Sequence, residues 1–257
     1  MSKLIDKLNQ AAKAVPKPMG FRTARPASAE MKMLLIASLA QATDVERMAD
    51  SIADADAVLI IKVNSGAKTL QRMAESVPDI PWGLWLGDIG RKGITPLIEV
   101  GCDFVVFPAS TALIIPEDEK LGKILQVEAS LSEGLLRAVN ELPVDAVLIA
   151  NEPAVESPLT WHHLMLYHRF DDLLTKPLLV SIPLNVTANE LQLLWKTGVD
   201  GVVVAVEIGQ PVEKLKELCQ TINKLTLPPR QRKKVEALVP HVGEETGTVT
   251  EPEEEEE

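Results

Sequence analysis

Apolar positions along the chain gather into eight short, nearly continuous runs. Four of them open at an aspartate: Asp56-Ala-Val-Leu-Ile-Ile-Lys62, Asp103-Phe-Val-Val-Phe-Pro108, Asp145-Ala-Val-Leu-Ile-Ala-Asn151 and Asp200-Gly-Val-Val-Val-Ala-Val206. The other four are Met33–Ala37, Trp82–Leu86, Ile124–Val127 and Leu178–Ile182. Runs that stay apolar at successive positions, with no polar alternation, read as strands buried on both faces of a parallel sheet. Between the runs, apolar residues recur three and four positions apart, which places them on one face of a helix. Val45, Met48, Ala49 and Ile52 do so after Thr43-Asp44, and Leu70, Met73 and Ala74 within residues 67–77. The same pattern occurs in Ser132–Leu142, Ala188–Thr197 and Pro211–Leu225, and Thr160–Leu174 is a further helical stretch. Thr111–Gly122 is a weak helix because Pro116 stands in its middle. Gly101-Cys-Asp103 and Gly198-Val-Asp200 each put a glycine between a helix and the next strand, where a left-handed residue ends the helix.

Eight strand–helix alternations of this kind, over residues 33–227, predict an α/β fold closed as a (β/α)8 barrel, a TIM barrel. A doubly wound open sheet is the alternative, but it carries a Gly-rich turn after its first strand. Ser38-Leu-Ala-Gln41 has no glycine, and no NAD is expected. Residues 1–32 form an N-terminal extension. Leu4, Ile5, Leu8, Ala11, Ala12 and Val15 make an apolar helical stripe, with Lys3, Lys7 and Lys13 off it. A helix covering the barrel floor is expected there; docking to a partner or an anionic membrane surface is the other reading. Residues 228–257 form a basic hinge, Leu227-Pro-Pro-Arg-Gln-Arg-Lys-Lys234 at its core, followed by an acidic tail. The tail is too poor in apolar residues to offset its ordering entropy, so a disordered acidic C-terminus is expected.

Composition narrows the class further. The net charge of −11 argues against nucleic-acid binding, and the tail from Pro240 onward holds eight acids and no Lys or Arg. No apolar run approaches the roughly 20 residues of a membrane span, and the first residues lack a signal core. Two cysteines, Cys102 and Cys219, cannot build a disulfide framework, so a reducing cytoplasm is the expected compartment. A homo-oligomer is compatible with all of this.

Barrels of this architecture carry their chemistry at the C-terminal strand ends. Those ends present Ser38 and Gln41, Lys62 and Asn64, Asp88, Ser110 and Thr111, Glu128 and Ser130, Asn151 and Glu152, Asn185, and Glu207. Lys62 and Glu128 follow or interrupt apolar strands, and a desolvated charge needs a partner. The expectation is that both face the barrel interior, near enough to interact. Lys62 and Asp88 are then the acid/base candidates, and Ser38, Asn151 and Asn185 the substrate-binding ones. The alternative for Lys62 is to snorkel to the rim. Asp88, Glu128, Glu152 and Glu207 together make an acidic mouth suited to a hard cation such as Mg²⁺ or Mn²⁺, unless they simply splay into solvent. The turns Ile182-Pro-Leu-Asn-Val-Thr187 and Val206-Glu-Ile-Gly209 lack the glycines of a phosphate cradle, so no FMN is expected.

The stretch Lys123-Ile-Leu-Gln-Val-Glu-Ala-Ser, continued by Val144-Asp-Ala-Val-Leu-Ile-Ala-Asn-Glu-Pro153, resembles the fifth and sixth strands of HpcH/HpaI-type aldolases. These are pyruvate/enolate barrels of the phosphoenolpyruvate-pyruvate class. The resemblance implies an aldolase-like carbon–carbon lyase acting on a small oxo-acid or enolate, with Glu128 and Glu152 on the metal; Glu207, from the acidic mouth, is an auxiliary metal candidate. The family's substrate-gripping arginine has no counterpart in Pro81-Trp-Gly-Leu-Trp-Leu-Gly87, which favours a second reading: a non-catalytic barrel that binds a small ligand or a protein partner. His162, His163 and His168 lack the i, i+4 spacing of zinc helices, and both cysteines read as small buried hydrophobes.

Overall fold

The computed structural model of the chain describes residues 2–12, 32–62, 67–87, 99–113, 120–150, 158–206, 212–228 and 230. Eight parallel strands close into a barrel in sequence order, and the last pairs with the first. They are β1 (Leu34–Gln41), β2 (Ala57–Lys62), β3 (Trp82–Trp85), β4 (Phe104–Pro108), β5 (Gly122–Glu128), β6 (Ala146–Ala150), β7 (Leu178–Ile182) and β8 (Gly201–Val206). Each falls on one of the eight apolar runs. The described helices are α1 (Lys3–Ala12), α2 (Ala42–Ile52), α3 (Ala67–Ser76), α4 (Glu133–Val139), α5 (Trp161–Leu173), α6 (Ala188–Lys196) and α7 (Val212–Lys224). Among the described residues no helix is long and apolar enough to cross a membrane.

The strands feed two separate cores. Val58, Ile60, Leu84, Val105, Val147, Val180 and Val202 pack outward against Leu70, Leu136, Phe170, Leu191, Leu194 and Leu215 of the helices. Leu34, Ile36, Ala57, Leu59, Phe104, Val106, Ile124, Leu148, Leu179 and Val203 point inward and pack on one another. This division is why the runs are continuously apolar: both strand faces are buried. Interior volumes complement each other. A Cβ on Gly83 would lie 2.4 Å from the Phe104 carbonyl oxygen and 2.5 Å from its ring, so glycine makes room for the Phe104 ring in the lower barrel.

The floor is closed by α1, whose Leu4, Ile5 and Leu8 belong to the inner core. Its N-terminus is held by Asp103, at the head of β4. That carboxylate accepts from Ser2 Oγ (2.8 Å), Lys3 N (2.7 Å) and Leu4 N (2.9 Å), satisfying donors that a helix start leaves open. Asp103 also donates its N–H to the preceding strand, at the Trp82 carbonyl (2.9 Å), but the repeated aspartates at the heads of β2, β6 and β8 use their carboxylates differently. Asp56, Asp145 and Asp200 each donate their N–H to the carbonyl of Leu35, Lys123 or Leu178 on the preceding strand. Each carboxylate then accepts the N–H of that same residue, at 3.0, 2.8 and 2.8 Å. The repeat that runs through the sequence is therefore a stitch along the N-terminal, stability-bearing face of the barrel.

Two glycines take the left-handed backbone expected of them, Gly101 at φ 93° and Gly198 at φ 98°. At the C-terminus, packing extends through Arg230, past the 228 boundary at which the basic hinge was expected to begin. Arg230 stacks over the Trp195 ring at 3.5 Å, pairs with the buried Asp200 at 2.6 Å and donates to the Trp195 carbonyl at 3.1 Å. Trp195 in turn donates its indole N–H to the Pro228 carbonyl at 2.8 Å. The acidic tail lies outside the described residues.

Candidate functional site

Strand tilt fixes which residues share a height in the barrel. A plane across a barrel of eight tilted strands climbs about one residue per strand relative to the hydrogen-bond register. Applied to the observed pairings, this puts Ser38 of β1, Trp85 of β3, Gln126 of β5 and Ser181 of β7 in one layer. Below it lie only apolar layers, the nearest formed by Leu59, Val106, Leu148 and Val203. Interior polarity therefore begins at the Ser38 layer, which is the base of the mouth.

Within this layer the Trp85 indole Nε1–H donates to Gln126 Oε1 at 2.5 Å, spanning from β3 to β5 in front of β4. The ring is directed upward: a Cβ added to Gly87 would come within 1.8 Å of it. Ser38 is 9% exposed, and among the described residues its hydroxyl has no hydrogen-bond partner; the half-buried Ser181 hydroxyl has none either. Two residues beyond Gln126, Glu128 ends β5 on the same inward series, exposed at the mouth, and accepts a hydrogen bond from Ser130 Oγ at 3.1 Å. The loop carrying Ser130 is braced from α5, where Arg169 Nη2 donates to the carbonyls of Ala129 (2.9 Å) and Leu131 (3.1 Å).

The expected convergence of Lys62 and Glu128 is not observed. Ala57, Leu59 and Ile61 line the interior while Val58 and Ile60 face the helices, so Lys62 continues the outward series and is exposed at the end of β2. Strands β3 and β4 stand between β2 and β5. The period of two along a strand decides this, and one residue's difference moves a side chain to the other face. Asn185 is exposed in the turn that follows β7. Asp88, Asn151, Glu152 and Glu207 lie outside the described residues. Among the described residues no group of three or more His, Cys, Asp or Glu is arranged to hold a metal ion.

Residues that carried no functional expectation settle into structural roles. His163 caps α5: its Nδ1 lies 3.1 Å from the Thr160 N–H and its own N–H donates to Thr160 Oγ1 at 3.4 Å, while its ring stacks on buried Tyr167. Burial, then the neighbouring His162, lowers its pKa below the ordinary histidine value. Burial pushes the Cys102 thiol up to about 12 and the Cys219 thiol up to about 11, neither being a nucleophile in this state.

No protein-family model matches the sequence, and no curated protein matches it. Solved structures do resemble the fold. Tryptophan synthase of Mycobacterium tuberculosis superposes with TM-score 0.60 at 15% identity, over 86% of this chain and 96% of that one. A mutant tryptophan synthase alpha-subunit from Pyrococcus furiosus gives 0.57 at 12% identity, over 75% and 97%. What they share with this chain is the barrel. A designed, cube-shaped cage built by fusing symmetric oligomeric domains also matches, with TM-score 0.55 at 15% identity, over 75% and 72%. At these identities the likeness establishes the (β/α)8 barrel fold and leaves the chemistry to the side chains.

Proposed function

We propose that this barrel is an aldolase-like lyase acting on a small oxo-acid or enolate at its C-terminal mouth. The observation that carries the reading is Glu128: a carboxylate at the inward end of β5, oriented by Ser130 and standing directly above the polar layer. The donor chemistry fits a hard divalent cation, since an accessible carboxylate at a strand end is an oxygen ligand of the kind Mg²⁺ and Mn²⁺ select. Glu128 would hold the ion together with Glu152 and Glu207, and the bound cation would polarise a carbonyl or enolate oxygen. The chain's own groups would position the substrate: Ser38 and the turn at Asn185 supply polar contacts, and the apolar layers below exclude water. Lys62, facing outward, takes no part in the proposed chemistry. The fold neighbours include tryptophan synthases, which supports the reading of an enzyme barrel through architecture.

Calorimetric titration tests it. Wild-type protein is expected to bind Mn²⁺, Glu128→Gln to weaken that binding about tenfold or more, and both to keep the same denaturation midpoint. An unchanged titration in Glu128→Gln overturns the metal role. The second reading, a barrel that binds a ligand without chemistry, is favoured by the outward placement of Lys62. It predicts ligand binding with no turnover of any small oxo-acid, metal present or not.

A further inference from the structure

We infer that the layer Ser38–Trp85–Gln126–Ser181 is a ligand-contacting floor selective for oxygen acceptors, and that Trp85 is the positioning residue that sets this selectivity. The inference rests on the reading of the mouth as a small-acid site and names how that acid is recognised.

An indole N–H can only donate a hydrogen bond. Its partner at 2.5 Å must therefore be the carbonyl oxygen of the Gln126 amide, which fixes an orientation that is otherwise free to invert. With Oε1 committed to Trp85, the NH₂ group is the part of Gln126 left to the mouth, and it offers donors only. Gln126 is half-buried, so those donors are accessible from above. The two serine hydroxyls, from β1 and β7, flank β8 and add donor capacity from the other side: Ser38 pairs with Ala205 and Ser181 with Val203 of that strand. Ser38 is more than nine-tenths buried and without a partner among the described residues. Its Oγ is not among the fully buried side-chain atoms left without a partner, so it stays reachable from the mouth and can bond a ligand there.

The layer holds no formal charge. It therefore suits one or two oxygen acceptors, the carbonyl and carboxylate of a compact monoacid, and is poorly matched to a phosphate dianion beneath Glu128. The indole wall fits a short apolar substituent.

The test is a ligand-observed NMR titration of the full chain in EDTA with two probes of equal size, sodium pyruvate and sodium isobutyrate. The second replaces the carbonyl oxygen with a methyl group. Wild-type protein is expected to prefer pyruvate about tenfold. In Trp85→Phe the amide can invert, and the preference is expected to fall to within about twofold. A merely structural role for Trp85 would weaken both probes together and leave the ratio intact, which overturns the inference. An absence of metal-free pyruvate binding by wild-type protein overturns it as well. Should Trp85→Phe fail to fold, Ser38→Ala and Ser181→Ala, each removing one oxygen, decide: about fivefold weaker pyruvate binding in each supports the floor, and unchanged binding in both ends it. Glu128→Gln separates this from the metal reading, since it is expected to lose Mn²⁺ while keeping the pyruvate preference.

Discussion

At the scale of single residues, one chemical feature recurs with different energetic weight. Asp56, Asp145 and Asp200 make the same reciprocal backbone stitch, yet their surroundings differ. Asp145 is exposed, so water can replace its carboxylate, and Asp145→Ala is expected to cost about 1 kcal/mol. Asp200 is fully buried and paired with Arg230; Asp200→Ala would leave a guanidinium without its carboxylate and is expected to cost about 3–5 kcal/mol. Urea denaturation of the two variants side by side checks this, and equal losses would contradict it. The cysteines give a second prediction at this scale. Burial holds Cys102 neutral up to about pH 12, whereas an unburied thiol ionises near pH 9.0. The raised value means that its contribution is fully present below the unfolded pKa and is lost as pH climbs toward about 12, by up to about 4 kcal/mol. Denaturation midpoints should fall across that window in the wild type and fall less steeply in Cys102→Ala.

At the scale of elements, α1 replaces what a bottom layer of interior side chains would otherwise supply. Close approach at Gly122, where a Cβ would lie 2.7 Å from Ile5, lets the helix seat against the start of β5. Leu8 is fully buried, so Leu8→Ala is expected to cost about 2–5 kcal/mol, read as a shift in urea midpoint. A loss below about 1 kcal/mol would mean that the helix merely rests on the floor. The elements were also what the sequence made most legible. Uninterrupted apolar runs, the 3.6-residue stripe of α1 and the glycines at 101 and 198 follow from burial and backbone sterics acting locally. The site was less legible because it depends on phase. Glu128 was found as a carboxylate after a buried strand, but Lys62 looked equivalent by the same rule and faces outward. In the sequence Trp85 is one more member of an apolar run, and Gln126 only part of the stretch that resembles the aldolases. Only the register between β3 and β5 shows that they bond. Counting by twos from the apolar residues of each strand would have separated Ile61 from Lys62, once it was known which residues of β2 face in.

For the molecule as a whole, the two ends of the barrel divide the labour between stability and binding. The floor gathers α1, the aspartate stitches and the Arg230 clamp, all drawn from segments that flank or begin strands. The mouth gathers the polar layer and Glu128, drawn from strand ends. If the ends are energetically independent, damage at one should not reach the other, because close-packed apolar layers separate them. Arg230→Met tests this. The variant keeps a long side chain against Trp195 but removes the charge that Asp200 requires, so a loss of about 3–5 kcal/mol is expected in urea denaturation. Pyruvate binding measured well below the unfolding transition is expected to stay within about twofold of wild type, the scatter allowed for uncoupled sites. A parallel fall in both quantities would show that the C-terminal clamp communicates with the mouth through β8, whose first residue follows Asp200 and whose inward Val203 and Ala205 neighbour Ser181 and Ser38. In that case the polar floor could no longer be treated as a rigid surface fixed by its own strands.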